Sequence, residues 1–291
     1  MKKKIFDLLL KTISKITNKQ VLYINKNYIN YNNLAVKSKY GFWYCGNVFD
    51  QSDIAYGIAS DGLVEKEDSE LVVKILKSIK KDFVFFDIGA NTGWYSMLAA
   101  LSGESKIISF EPVKEHLECL TQTIFLNKLE NRITVSDFAI SDTKGEAEIL
   151  LAGTGSSLEG SFLEKAEGGV RKIKITTLDS YVENNKISSP DFIKIDIEGH
   201  EYKALIGAKN TISTSLPILF IEIAYTLKNI NRKFINPNYK ETFSLLDSLG
   251  YQTYIVKKDT IAKYNPEQKI DGVQMYLFLH QTKHQQIHDV L

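Results

Sequence analysis

The stretch that decides the fold is FVFFDIGANTG, residues 83–93. Phe83, Val84, Phe85 and Phe86 form a short run of aromatic and β-branched residues, the composition of a strand buried on both faces. Asp87 closes the run with a carboxylate at the strand tip. Gly89 and Gly93 give the backbone the freedom a tight turn needs, and WYSMLAAL (94–101) carries an apolar pattern suited to a helix. Strand, glycine turn and helix in succession aim backbone N–H groups at whatever lies above the strand ends. A dinucleotide site would place G-x-G-x-x-G in this turn. Here the string is Asp87-x-Gly89-x-Asn91-x-Gly93, with an acid in the first glycine's place and no third glycine. A carboxylate there repels a pyrophosphate and suits a cationic ligand group. The plain alternative is a Rossmann-like turn with no set ligand.

Working outward, KIISF (106–110) reads as the second strand and ends at Glu111. In βαβ nucleotide folds an acid about 20 positions beyond the glycine turn accepts hydrogen bonds from a ribose diol, so Glu111 is the expected ribose ligand. Pro112 is placed at the first position of the next helix, which runs to about residue 125. Residues 132–135 predict a third strand. Beyond it, Asp137 and Phe138 suit adenine, one accepting from its amine and the other stacking on its face; Asp137 is equally a solvent-exposed turn residue. Residues 146–151 and 172–175 read as strands around a glycine- and serine-rich loop at 153–169, near the substrate mouth. A short helix begins at 177–181.

The second informative stretch is DFIKIDIEGHE, residues 191–201. Phe192, Ile193, Ile195 and Ile197 mark a strand, and with period two Lys194, Asp196 and Glu198 share one side of its carboxyl end. Charged groups on a central strand are costly unless paired or functional. Ligands of doubly wound sheets lie outside these carboxyl ends, so Asp196 and Glu198 are expected to face the same cleft as Asp87 and Glu111. Gly199 breaks the strand, and His200 opens a helix ending near Gly207. Lys194 is expected to pair with Glu198 or Glu222, or to hold an acceptor oxygen.

PILFIEI (217–223) is a further core strand, 241–249 a helix, 251–256 a strand, 257–271 a polar connection and 273–279 a last alternating strand. Upstream, 67–80 is an amphipathic helix. Residues 1–65 are expected to form an N-terminal helix and a β-rich or irregular cap, 66–281 the ligand-binding domain, and 282–291 a frayed tail.

Of the 291 residues 44% are hydrophobic and 24% charged, and the net charge is +1. These are values of an ordinary globular protein with no global field to recruit nucleic acid. Two cysteines, Cys45 and Cys119, make neither a disulfide framework nor a metal cluster, which fits a reducing compartment such as the cytoplasm. No stretch approaches the ~18 apolar residues of a membrane span. Lys2, Lys3 and Lys4 before apolar residues imitate a secretory leader, but Asp7 and Lys11 interrupt it and no small-residue cleavage site follows. Residues 1–19 instead read as an amphipathic helix that packs on the protein's own body, with peripheral membrane contact as the alternative.

Taken together, DIGANTG, FEP, AISD (139–142), TLD and KIDIEGHE, in this order, resemble the FkbM family of class I S-adenosylmethionine methyltransferases over about residues 40–225. The resemblance implies an α/β, Rossmann-like doubly wound sheet, mostly parallel, of seven strands with the last inserted antiparallel. It implies S-adenosylmethionine as cofactor and O-methylation of a hydroxyl on a sugar, glycan, glycolipid or other small molecule. Asp87, Gly89, Asn91 and Gly93 match the cofactor turn, Glu111 the ribose acid, Asp137 and Phe138 the adenine position, and Asp196 the methionine end and reaction centre. An alcohol acceptor must lose its proton, and Asp196, Glu198 and His200 are the candidate bases, His200 having a suitable unperturbed pKa although it starts a helix. The carboxylates of Asp196, Glu198 and Glu222 would suit Mg²⁺, a secondary expectation that no separate cluster demands. Other readings are a methyltransferase acting on nucleic acid or protein, an NAD-dependent oxidoreductase, or a non-catalytic module on the same fold. A basic groove and an Asn/Asp-Pro-Pro-aromatic turn, expected of an amino-directed nucleic-acid enzyme, are both missing from the sequence.

Overall fold

The computed structural model describes residues 21–22, 33–48, 53–151, 156–159, 168–229, 232–257 and 260–290. The expected helix within residues 1–19, with its membrane contact, lies outside them, as does most of the 153–169 loop.

The first elements form the cap. Strands β1 (Val21–Leu22), β2 (Asn33–Lys37) and β3 (Trp43–Asn47) make an antiparallel sheet in that order. Helix α1 (Ile54–Asp61) is N-capped by Asp53, whose carboxylate accepts from the Ala55 N–H at 2.7 Å. Helix α2 (Lys66–Ser78) buries Leu71, Val72, Ile75 and Leu76 on one face, as its sequence pattern predicts. The cap is clamped to the body. Asn127 accepts from the Trp43 N–H at 2.8 Å and donates to its carbonyl at 2.7 Å, and Thr123 Oγ1 accepts from the Cys45 N–H at 3.0 Å.

The body begins with β4 (Val84–Ile88), α3 (Trp94–Ser102), β5 (Lys106–Phe110), α4 (Lys114–Leu126) and β6 (Ile133–Ser136). Helix α4 starts two residues beyond Pro112, because the Val113 N–H is engaged by Glu111 at 2.8 Å. Next come β7 (Phe138–Ile140), β8 (Gly145–Leu150) and β9 (Val170–Thr176), which form a separate three-stranded sheet in the order β7-β9-β8 over a small core of its own. Helix α5 (Leu178–Asn184), capped by Thr177, leads to β10 (Phe192–Ile195), α6 (Glu201–Ile206) and α7 (Lys209–Ser215). The chain finishes with β11 (Ile218–Asn229), β12 (Arg232–Ile235), α8 (Tyr239–Ser248), β13 (Tyr251–Lys257), β14 (Thr260–Lys263), β15 (Gly272–His280) and α9 (Gln285–Val290).

The large sheet runs β14-β13-β15-β11-β10-β4-β5-β6, with β12 paired to β11. Seven of its strands form the expected methyltransferase-like sheet, in which β15 lies antiparallel between β11 and β13 while β11, β10, β4, β5 and β6 run parallel. Strand β14 folds back on β13 within the region expected to be a plain polar connection. Helices cover both faces. Phe83 and Phe85 pack on one side with α2 and α3, and Val84, Phe86 and Ile88 on the other with α6 and α8. This two-sided burial is why the β4 stretch reads as an unbroken apolar run. Among the described residues no helix is long and apolar enough to cross a membrane.

The tail is ordered rather than frayed. Ile287 of α9 is fully buried in the core beside α2, His284 is buried, and Lys283 Nζ donates to the Ser215 carbonyl. One apolar side chain seated in a preformed groove outweighed the polar composition that predicts disorder. Ile287→Ala should therefore lower unfolding stability by ~2–5 kcal/mol, the cost of a buried large-to-small change. Urea denaturation checks it, and an unchanged midpoint would return the tail to solvent.

Candidate functional site

The site grows from a polar row across three central strands. In register, Lys194 of β10 lies beside Asp87 of β4, and Asp87 beside Ser109 of β5. All three are on the face that carries α3, and all are buried. Asp87 Oδ2 accepts from the Ser96 hydroxyl at 2.6 Å, and Ser96 reaches Ser109 at 2.7 Å. Asp87 Oδ1 is buried with no hydrogen-bond partner. Burial lifts the Asp87 carboxyl, and Lys194 opposes that rise. Asp87 is therefore a foundation beneath the cleft and does not line it.

Above the row sits the glycine corner. The Gly89 and Ala90 N–H groups both donate to the Phe110 carbonyl at 3.0 Å, folding the turn onto β5. Gly89 has φ +77, and a Cβ there would come within 1.8 Å of the Asp196 carbonyl oxygen. Only glycine lets the two loops touch. Gly93 starts α3 at φ +96, and Asn91 takes the left-handed conformation at φ 51. From that position the Asn91 N–H donates to Glu111 Oε2 at 2.8 Å, while the Val113 N–H donates to Oε1 at 2.8 Å. Glu111 is thus fixed at the tip of β5, only 4% exposed, with lone pairs left for further donors.

A cavity of about 270 Å³ opens over the carboxyl ends of β5, β4, β10 and β11. At one end Val113, Phe138, Ile140 and Ile149 present apolar surface, and Glu111 stands between them and the glycine corner. At the other end Lys194, Asp196, Glu198, Glu222 and Glu65 converge. The β10 strand stops at Ile195, earlier than alternation predicts, and the Asp196 N–H makes its last ladder bond, to the Ile88 carbonyl at 3.0 Å. Glu198 (φ 54) and Gly199 (φ 97) then reverse the chain. Asp196 and Glu198 face the cleft all the same, by this turn instead of by a continued pleat.

Lys194 pairs with neither Glu198 nor Glu222. Its ammonium lies 3.0 Å from Asp196 Oδ2, 3.4 Å from the Gly89 carbonyl and 5.0 Å from the Tyr95 ring centre. Burial opposes its charge, yet Asp196, Asp87 and Glu65 together hold its pKa above the usual lysine range. Burial, then the charges of Asp196 and Glu198, pushes the Glu222 carboxyl well up. Burial also raises Glu198 to about 8, with Asp196 and Glu201 adding to the effect.

Asp196, Glu198 and Glu222 offer oxygens within 4.8 Å of one another. That spacing is the only feature suggesting a divalent cation. Lys194 already pairs with Asp196 at 3.0 Å, and nothing else among the described residues supports Mg²⁺.

Two other expected residues sit elsewhere. His200 is buried between the Ser141 hydroxyl (2.9 Å from Nε2) and Glu159 (2.8 Å from Nδ1), outside the cavity lining. The His200 contact, more than that of Lys203, holds the Glu159 carboxyl down to about 2. Asp137 is half exposed, pairs with Lys174 at 2.9 Å and lines a separate depression; only Phe138 of that pair reaches the main cleft. Residues 87–93 and 191–201 announced most of the site, but Glu65 and Tyr95 were not foreseen. Glu65 Oε2 accepts from the Tyr95 hydroxyl at 2.5 Å. Tyr95 lay inside a recognised helix, and nothing local marks Glu65, which tertiary folding alone brings to the cleft.

The raised carboxyls set a pH dependence. Glu198 (about 8), Glu201 (about 7, by burial) and Asp68 (about 7, by burial) bind protons in the folded chain that the unfolded chain releases near pH 4.5. Between those values the folded state holds more protons, so its stability falls as pH rises. Buried His284, lowered to about 4, acts oppositely, and only below pH 6.5. The ligand-free melting temperature should therefore drop between pH 6.5 and about 8.5, and Glu198→Gln should flatten the slope. A melting temperature that climbs across that window would contradict the assigned protonation.

Comparison with known proteins follows this geometry. At 24% identity over 156 residues, the chain is similar to the hexuronic acid methyltransferase AglP of Haloferax volcanii, a match covering 54% of this chain and 62% of that one. Among solved structures it is similar to methyltransferase FkbM from Methylobacillus flagellatus (21% identity, TM-score 0.46, covering 69% of this chain and 44% of the other). It is also similar to the SAM-dependent methyltransferase from Agrobacterium tumefaciens (10% identity, TM-score 0.46, 86% and 70%). A family model described as the methyltransferase FkbM domain matches residues 87–253, from the glycine corner to β13. The chain belongs to the methyltransferase FkbM domain family.

Proposed function

We propose that this protein is an S-adenosylmethionine-dependent methyltransferase that methylates a hydroxyl of a sugar, glycolipid or other small molecule. The observation that carries the reading is one cleft holding Glu111 at one end of the glycine corner and Asp196 with Glu198 at the other. The donor set fits the cofactor. Glu111 keeps lone pairs for a ribose diol, Val113 and Phe138 offer apolar surface to a purine, and the acid-rich end suits a cationic sulfur. Such a cofactor supplies a methyl on a positively charged sulfur, transferable by in-line displacement. Positioning, exclusion of water and removal of the acceptor's proton fall to the chain.

Glu198 is the proton acceptor in this scheme. Asp196 is engaged by Lys194 and Glu222, and His200 by Ser141 and Glu159. Glu198 lines the cleft, and its carboxyl, pushed up to about 8, is a stronger base than an ordinary glutamate once ionised. A sugar is favoured as acceptor because the similar AglP is described as a hexuronic acid methyltransferase. Cys45 and Cys119 are both buried thiols, which suits a reducing compartment such as the cytoplasm.

Calorimetry with S-adenosylmethionine and NAD tests the cofactor, and selective NAD binding would overturn it. Mass spectrometry of glycans incubated with enzyme and cofactor tests the acceptor through the gain of one CH₂. Glu111→Ala should weaken S-adenosylhomocysteine binding by ~1–3 kcal/mol, the scale of lost charge-assisted hydrogen bonds; unchanged affinity in a folded variant removes Glu111 from the site. Glu198→Gln should cut kcat by ~10²–10⁴ while cofactor affinity is kept, and should abolish the rise of rate through about pH 8. A pH profile unaltered by that change would assign the base elsewhere.

A further inference from the structure

We propose that Glu65, from the N-terminal cap, receives the ammonium at the amino-acid end of the cofactor, so that the cap completes the cofactor site. This rests on the S-adenosylmethionine reading above and extends it to a residue outside the family-matched segment 87–253. The placement follows from the order of the strands. With the ribose at Glu111 on β5 and the purine against Val113 and Phe138 beyond it, the remaining end of the ligand lies over β4 and β10. There the lining consists of the Gly89 corner, Tyr95, Lys194, Asp196 and Glu65. An amino-acid end carries both charges and needs a partner for each. Lys194 is the ammonium facing the carboxylate. Asp196 already holds Lys194 at 3.0 Å, which makes Glu65 the acid with capacity for an added cation.

Three features show that Glu65 is built for this place. It holds φ 44, a left-handed conformation that any side chain disfavours, at the entrance to α2. The Tyr95 hydroxyl at 2.5 Å anchors Oε2 to the first turn of α3, directly after the glycine corner. Glu65 is exposed and lines the cleft, and desolvation, Asp196 and Asp87 raise its carboxyl against the opposing pull of the Tyr95 hydroxyl and Lys194. A ligand cation relieves that condition.

The test is calorimetry of the full chain with S-adenosylhomocysteine and with 5′-methylthioadenosine, which shares the adenosine and sulfur but lacks the amino-acid end. Glu65→Gln should weaken S-adenosylhomocysteine about tenfold, the scale of one charge-assisted hydrogen bond, and leave 5′-methylthioadenosine unchanged. Glu65→Asp keeps the charge and guards against a folding defect; it should give a smaller loss, again confined to S-adenosylhomocysteine. Equal losses on both ligands, or none on S-adenosylhomocysteine, would overturn the assignment. If the wild-type chain binds neither ligand, the cofactor reading itself fails; if it binds both and the Glu65 variants are silent, only Glu65 is wrong.

Discussion

The structure depends on keeping one lysine charged in the middle of a sheet. Lys194 is 3% exposed, and an isolated ammonium in that position would be expelled or neutralised. It stays charged because Asp87 stands beside it in register and Asp196 meets it at 3.0 Å. Asp87 belongs to β4 itself and Asp196 to the turn after β10, so satisfying the lysine ties that turn to β4. The approach is so close that position 89 tolerates no side chain. The Gly89 carbonyl and the Asp196 carboxylate, both facing the ammonium, thereby become the floor of the cleft. The charge and the glycine are two sides of one constraint.

Around this floor the backbone is held where side chains prefer not to be. Glu65, Asn91 and Glu198 all adopt left-handed conformations, and all line the cleft. Each is over-determined by its neighbours: Glu65 by Tyr95, Asn91 through its N–H by Glu111, and Glu198 through its carbonyl, which accepts from the Ser157 hydroxyl at 2.5 Å. Such local cost persists only where surrounding structure enforces it. Tyr44 of the cap also bonds Thr92 within the glycine corner, so the cap is joined to the corner at two points and moves with it.

Much of this was legible in the residues. An apolar run with aromatics on both faces, then Asp87 and two glycines, could only be a central strand and its turn. Glu111 stood at the distance a ribose acid requires, and it occupies the cleft with its carboxylate fixed by two N–H groups. What escaped reading was set by distant parts of the chain. Alternation placed Asp196 and Glu198 on a continuing strand, but the left-handed backbone of Glu198 and Gly199 turns the chain away just past Asp196. His200 has the chemistry of a base, but Ser141 and Glu159, 59 and 41 residues away, occupy both its nitrogens. Asp137 follows a strand end as an adenine ligand would, yet Lys174 on β9 holds it at 2.9 Å on the outer side. Glu65 precedes an amphipathic helix like many a surface acid. Sequence periodicity carries no information on which partner will meet such a group once the sheet is assembled.

The cleft therefore gathers more acid than its lysine can neutralise, and the excess is carried by protons. Burial pushes the Glu222 carboxyl well up, and Glu198 holds a proton up to about pH 8. A buried carboxyl kept neutral in this way costs less than a buried charge, and it becomes a base only when an incoming group makes its ionisation tolerable. A cation at the Gly89 corner would do that for Glu198, because nearby positive charge favours a carboxylate's ionised form. The same neutralising charge that lets Lys194 remain buried thus links occupation of one end of the cleft to the strength of the base at the other. On this electrostatic ground, the proposed cofactor site and the proposed base would act together.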